Sequence, residues 1–144
     1  MIQQGLFVTL KEKPMTAQKS YSRSRLVLGY VDSVHASQCA RYFRRQGWEV
    51  QLIPSGVDAR RLVLDSPPRV VILDTELPDE SGWLTAAKIL LDRPEQIVFL
   101  VGPERTEANE RFASFVGAAG FLTRDESPVA WAEEVFGNLM PATA

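Results

Sequence analysis

The chain has little cysteine, little histidine and no long apolar run, and each shortage excludes a class of protein. The one cysteine, Cys39, cannot form an internal disulfide, and the one histidine, His35, cannot complete a metal site built from thiols and imidazoles. No apolar run approaches the ~18–20 residues that a membrane span requires. The beginning of the chain has only the short apolar run 6–10, which makes a poor signal peptide. We therefore expect a cytoplasmic protein that does not contact a membrane.

The charge is small overall and unevenly distributed along the chain. A formal net charge of −2 over 144 residues gives no general attraction to nucleic acid, so we expect no nucleic-acid partner. Residues 1–25 carry five basic side chains and one acidic side chain, which puts this segment at +4 and the rest of the chain at −6. We interpret residues 1–24 as a basic arm that is flexible or binds a partner. Its apolar run 6–10 is either a short added strand or part of a disordered tail.

Beyond the arm, apolar runs of strand length alternate with segments of helical spacing. Runs that are rich in Val, Ile and Leu without strict alternation are typical of strands buried on both faces of a parallel sheet. Five such repeats predict an α/β domain with a doubly wound, five-stranded parallel sheet and five helices, of the flavodoxin-like type. We expect it to span residues 25–140, with 141–144 as a tail. The predicted strands are 26–31, 48–53, 70–73, 97–101 and 121–122.

One carboxylate is placed where such sheets bind ligands, beyond the carboxyl ends of the strands. Asp74 ends the apolar run RVVILD and is followed by a turn that contains Pro78 and Gly82. A carboxylate at the tip of a buried strand is partly desolvated and suited to act as a nucleophile or ligand. The alternative is a structural aspartate that accepts hydrogen bonds from the next turn. Since the chain has neither a GxxxxGK phosphate loop nor a Ser–His–Asp pattern, we do not expect an enzyme.

Three stretches of residues 25–140 resemble the receiver domain of bacterial two-component response regulators. PRVVILDTELPDESGW is similar to the family's third strand and its loop, RQGWEV to the end of the first helix, and GAAGFLTRDESP to the fifth strand and its loop. The resemblance implies a receiver-type fold in which Asp74 stands at the position that accepts a phosphoryl group. It also implies a histidine kinase as a partner and Mg²⁺ as the cofactor of phosphorylation.

The resemblance also reveals departures at the metal-binding positions. The family's acidic pair falls on Tyr30 and Val31, whose side chains do not bind Mg²⁺. Asp32 lies one residue later, and Glu76 stands where a backbone carbonyl completes the family's site. A metal site made of Asp32, Asp74 and Glu76 would be weak at most.

The positions that pass on the signal are altered as well. Gly102 replaces the family's Thr or Ser, Arg124 replaces its lysine, and the aromatic switch position keeps Phe121. Arg124 retains a positive charge that can pair with Asp74, although its planar fork differs from a lysine's point charge. We therefore expect a degenerate receiver, or pseudo-receiver, that acts through protein contacts without a cofactor.

Two alternatives to the pseudo-receiver remain. In the first, Asp74 is a working phospho-acceptor, and Asp32 and Glu76 rebuild the Mg²⁺ site. In the second, the chain is a flavodoxin-like ligand-binding domain.

The resemblance further implies a contact surface made of the fourth helix, the fifth strand and the fifth helix. We expect a protein partner or a second copy to bind there, with Arg111, Trp131, Glu133 and Phe136 as the candidate residues. The alternative for Trp131 is that it covers the sheet. We expect His35 to be exposed in the first turn of a helix and Cys39 to lie in the core.

Overall fold

A computed structural model describes residues 24–139 of the chain, and these residues alternate strictly between strand and helix. The predicted arm lies outside the described residues except for Ser24, as does the tail. The strands are β1 (Arg25–Gly29), β2 (Glu49–Ile53), β3 (Val70–Asp74), β4 (Ile97–Gly102) and β5 (Gly120–Thr123). The helices are α1 (Val34–Arg45), α2 (Gly56–Asp65), α3 (Gly82–Asp92), α4 (Glu107–Val116) and α5 (Pro128–Leu139).

The five strands form one parallel sheet in the order β2-β1-β3-β4-β5. The chain moves outward in one direction from β1 to β2 and in the other from β3 to β5, so the helices cover both faces. Helices α1 and α5 contact each other on one face, and α3 lies between α2 and α4 on the other. The predicted fold class, a doubly wound five-stranded sheet with five helices, is confirmed.

The helices begin where short polar side chains can satisfy free backbone N–H groups. Ser33, Ser55, Ser81 and Thr106 each accept a hydrogen bond from the N–H three residues later, at the start of α1 to α4. Helix α5 begins at Pro128, whose missing N–H costs nothing in the first turn. None of the helices in residues 24–139 is long and apolar enough to cross a membrane.

The side chains of alternate residues in the central strands lie in two apolar layers, one on each face of the sheet. Leu26 and Leu28 of β1 pack towards α1 and α5, whereas Val27 packs towards α2 and α3. Strands β1 and β3 are buried along their whole length, which explains their continuous apolar sequence.

Of the two aromatic residues of α5 that we assigned to a contact surface, Trp131 belongs to the core instead, and Phe136 lies at the edge of the core. Trp131 is fully buried, and its indole Nε1 donates to the carbonyl of Thr123 at 2.9 Å. Phe136 is half-buried, stacked on Trp48 and edge-on to Phe43. The physical reason lies in α1, whose buried side chains include the small Ala36, Cys39 and Ala40, so that the indole fills the space between the helices.

Candidate functional site

Asp74 ends β3 at the carboxyl edge of the sheet, and its side chain is buried. The loop after it folds back closely over the strand end, where Gly82 N–H donates to the carbonyl of Thr75 at 3.3 Å. A Cβ atom on Gly82 would lie 2.2 Å from the carbonyl oxygen of Asp74, so this approach requires glycine. The turn that the sequence places after the strand therefore covers the carboxylate.

Both carboxylate oxygens of Asp74 accept hydrogen bonds from Arg124, which follows β5. Arg124 Nη2 donates to Oδ1 at 2.6 Å and Nε donates to Oδ2 at 3.2 Å, while the N–H of Glu76 donates to Oδ1 at 2.8 Å. The bond to Asp74 is the main cause of a raised pKa of the Arg124 guanidinium. Glu76 also lies 3.2 Å from Arg124. The arrangement is a two-pronged ion pair at the tip of the sheet.

The loop that carries these contacts is attached to α2 by two acidic residues that the sequence reading missed. Asp79 accepts hydrogen bonds from Ser55 Oγ at 2.7 Å and from the N–H of Gly56 at 2.8 Å, and these bonds lower its pKa. Glu80 is buried among Arg60, Lys88 and Thr85, and the bonds from Arg60 are the main reason that its pKa falls to about 2. The only sequence signal was the acidic pair directly after Pro78.

A second polar contact ties the start of α1 to the β5–α5 loop. His35 Nε2 lies 2.9 Å from the carbonyl of Glu126, and Nδ1 lies 2.8 Å from the hydroxyl of Tyr30. Since a carbonyl only accepts, we assign the proton to Nε2, so that Nδ1 accepts from Tyr30. Burial, and then the charge of Asp74, raise the pKa of Tyr30.

His35 is therefore a half-buried bridge, and the expectation that it is exposed was wrong. Its ring lies edge-on to that of Trp131, 5.0 Å away. Cys39 lies in the core as expected, and burial raises the pKa of its thiol to about 12.

Gly102 ends β4 directly against the ring of Phe121. A Cβ atom at residue 102 would lie 2.5 Å from Cζ of Phe121, so the aromatic side chain occupies the space of the missing side chain. Phe121 is buried and stacks on Trp83 at 5.8 Å, and Trp83 in turn lies 4.7 Å from Phe112 of α4. The interior of the sheet is thus linked by aromatic contacts to the surface of α4.

Comparison with known proteins supports this architecture. No family model matches the chain. The TorCAD operon transcriptional regulatory protein TorR of Escherichia coli O157:H7 is 26% identical over 93 residues, which are 65% of this chain and 40% of TorR. The chain thus spans about two fifths of the length of that relative.

Solved structures resemble the whole described fold. A CheY-like response regulator receiver domain protein from Methanospirillum hungatei JF-1 has a TM-score of 0.74 at 19% identity, covering 82% of this chain and 94% of that one. A two-component response regulator of the LuxR family from Aurantimonas sp. SI85-9A1 has the same TM-score at 21% identity, covering 82% and 86%. The chain thus has the fold of response-regulator receiver domains. In this fold Asp74, the residue at the position that resembles the family's phospho-acceptor, is buried and forms an ion pair with Arg124.

The fold does not assemble the metal site that we considered as an alternative. Asp32 is exposed, Glu76 is exposed beside Arg124, and the oxygens of Asp74 already bind Arg124. Within residues 24–139, no three His, Cys, Asp or Glu side chains are grouped so that they could hold a metal ion. The side chains present therefore do not fit Mg²⁺, because a guanidinium stands where the cation's charge would be needed.

The predicted contact residues are divided between the surface and the core of the domain. Arg111 and Glu133 are exposed, and Arg111 forms an ion pair with Glu107 at 3.5 Å on α4. Arg105, which the sequence reading missed, joins α4 to α5 by ion pairs with Glu110 and Glu134, at 2.9 and 3.4 Å. With Trp131 buried, exposed aromatic area on this side lies on α4 rather than on α5.

Proposed function

We propose that this receiver domain is a pseudo-receiver, which signals by binding other proteins and does not depend on a phosphorylation cycle. The observation that carries the proposal is the ion pair in which Arg124 donates to both carboxylate oxygens of Asp74. In this role the domain is not an enzyme and needs no cofactor.

The ion pair opposes phosphorylation for two reasons. A carboxylate attacks a phosphoryl group through a free oxygen, and a cation must neutralise the charge that builds up during transfer. Arg124 engages both oxygens, and its single charge is already balanced by Asp74 and Glu76. A phosphodonor that reaches Asp74 would therefore find both carboxylate oxygens hydrogen-bonded and no further cation to neutralise the charge of the phosphoryl group.

The Gly102–Phe121 contact supports the same proposal. Gly102 has no hydroxyl that could bond a phosphoryl oxygen, and Phe121 already fills the space beside it. Asp79 and Glu80 also fasten the loop after Asp74 to α2. These contacts favour one fixed arrangement of the site over two states that a modification would select between.

The proposal includes the kind of partner and the compartment. A histidine kinase is a candidate that would bind the domain without modifying it, and a second protein would bind a surface away from Asp74. The domain would work in the cytoplasm, the compartment that suits a chain whose one cysteine is unpaired and buried.

The test exposes the whole chain to a small phosphodonor with Mg²⁺ and measures intact mass, with Asp74→Asn as the control. We expect the same mass profile for both proteins, and no change in tryptophan fluorescence as Mg²⁺ is added. Stoichiometric modification of the wild type alone would overturn the proposal and support the phospho-acceptor alternative.

A second arm of the test adds a flavin or a nucleotide and follows the same fluorescence. We expect no saturable change. Saturable binding would overturn the proposal in favour of the flavodoxin-like alternative.

A further inference from the structure

The exposed large apolar side chains of the receiver domain are concentrated on two neighbouring helices. Leu84 and Leu91 of α3 are 49% and 83% exposed, and Phe112 and Phe115 of α4 are 47% and 83% exposed. Together with the half-buried Trp83, we call these residues the α3–α4 patch. Only three other large apolar residues of the described chain are exposed, and none lies on α3 or α4.

The aromatic members of the patch hold one another in place. Phe112 lies 4.7 Å from Trp83 and stacks with Phe115 at 6.2 Å with the ring planes 12° apart. Leu84 and Leu91, seven residues apart, lie on the same side of α3. The aromatic part of the patch is therefore preformed, and its side chains lose little conformational freedom when a partner covers them.

The exposed apolar area of the patch is large for a monomer, and these exposed side chains do little to stabilise the fold. At about 200 Å² for a large apolar side chain, the exposed fractions of its four outer members add up to roughly 500 Å². This exposed apolar area on two neighbouring helices is comparable with the largest patch on a typical monomer, which is often an interaction site. Phe115 contributes almost nothing to the core, because most of its surface faces solvent.

We propose that the α3–α4 patch is the interface through which two copies of this chain associate. The inference rests on the proposed function, since it identifies the contact surface and its partner. A stable interface buries about 800 Å² on each partner. The patch would supply the apolar centre of such an interface, and polar residues around it would supply the remaining area as a rim.

The charges around the patch favour a second copy over a strongly charged partner. The stretch from α3 to α4, residues 82–116, carries four basic and five acidic side chains, so neither sign dominates. A two-fold axis brings the same surface together with itself, so an excess of one sign within that surface would repel the second copy. Arg111 and Glu107, which lie together on α4, provide such a mixed rim.

This surface differs from the one that the resemblance implied. Helix α5 contributes no exposed aromatic side chain, because Trp131 is buried and Phe136 is half-buried. Helix α3 takes its place. Through Trp83, which stacks on Phe121, the patch also touches the aromatic contact beside Gly102.

The test is sedimentation velocity on the whole chain over a range of concentrations. We expect a monomer–dimer equilibrium, and at least a tenfold weaker association for Phe115→Asp and for Leu91→Asp. Val34→Asp is the matched control, since Val34 is 74% exposed on α1 and lies outside the patch. Urea unfolding of each variant should match the wild type, because these side chains stabilise the monomer little.

The outcomes separate this inference from the proposed function. A wild-type chain that stays monomeric, or a dimer that Phe115→Asp and Leu91→Asp leave intact, would overturn the interface whatever the phosphodonor does. Equal weakening by Val34→Asp would also overturn it. Protection of α3 and α4 amides from hydrogen exchange that rises with concentration would support it. Phosphorylation of Asp74 would remove the proposed function and leave the dimer measurement standing.

Discussion

Helices α4 and α5 flank the same edge strand, β5, yet they use their aromatic residues in opposite ways. The one tryptophan of α5, Trp131, is fully buried and hydrogen-bonded, whereas Phe115 of α4 is 83% exposed. Small side chains on α1 leave room for the indole, while α4 buries only Ala113 completely. The same local pattern, an aromatic residue at helical spacing, thus attaches one helix to the sheet and presents a surface on the other.

The polar contacts follow the same division. The segment that leads from β5 into α5 is attached to other elements by Arg124, which binds Asp74, and by the carbonyl of Glu126, which accepts from His35. Helix α4 is joined to its surroundings mainly through Arg105, whose side chain is half-exposed. Polar contacts therefore hold the segment before α5 against the elements around Asp74, whereas the exposed face of α4 is available to bind a partner.

The strongest test of this comparison is to truncate one aromatic residue on each helix. We expect Trp131→Ala to reduce the free energy of unfolding by about 3–5 kcal/mol, because it leaves a cavity and removes the hydrogen bond from the indole to the carbonyl of Thr123. Phe115→Ala should change it by no more than ~0.5 kcal/mol. Urea unfolding followed by circular dichroism measures both. Similar losses at the two positions would show that α4 is attached to the sheet as firmly as α5.

The second test breaks the ion pair beside α5. Arg124→Met leaves the buried Asp74 carboxylate with only the N–H of Glu76, and we expect a loss of about 2–4 kcal/mol in urea unfolding. Arg111→Met on α4 removes an exposed arginine and should cost no more than ~0.5 kcal/mol.

The double variant Asp74→Asn/Arg124→Met removes the unpaired charge and should recover part of the stability lost in Arg124→Met. If Arg124→Met instead costs no more than Arg111→Met, Asp74 is stabilised by something other than the ion pair.

The sequence predicted what depends on neighbouring residues. The apolar runs and the turns after them located all five strands, and they put Asp74 at the tip of β3. Helix caps such as Ser81 and Ser127 are equally local, because each accepts from an N–H three residues away.

Contacts between elements that are distant in the chain have no corresponding pattern in the local sequence. Asp79 caps α2, more than twenty residues earlier, and His35 reaches Glu126, 91 residues later. The burial of Trp131 depended on the small side chains of α1, nearly a hundred residues away. These outcomes follow from how the helices lie on the sheet, which periodicity within one helix does not reveal.

The third test concerns Glu80, which secures α3 and hence half of the proposed interface. Its pKa falls from 4.5 to about 2 in the folded chain, so the unfolded chain takes up the proton first as the pH falls. The stabilisation is nearly complete at about pH 6, has fallen by roughly 2 kcal/mol at about pH 3, and is lost as the pH falls through about 2. Urea unfolding at about pH 6 and about pH 3 should show a smaller difference for Glu80→Gln than for the wild type. An identical difference would mean that other carboxylates carry the pH dependence.

The smallest expected effect comes from adding one methyl group at Gly102, beside the ring of Phe121 on β5, the strand that α4 and α5 both flank. Gly102→Ala puts a Cβ atom 2.5 Å from the ring of Phe121, and we expect a loss of about 1–2 kcal/mol because the ring must shift. Gly137→Ala on α5 is the control, since nothing lies within 4 Å of its added Cβ atom and helical alanine is favoured over glycine. Because Phe121 stacks on Trp83 and Trp83 contacts Phe112, the Gly102 variant should also weaken the dimer, whereas the Gly137 variant should not. Loss of stability without any change in association would show that the packing beside Gly102 and the surface of α4 are independent.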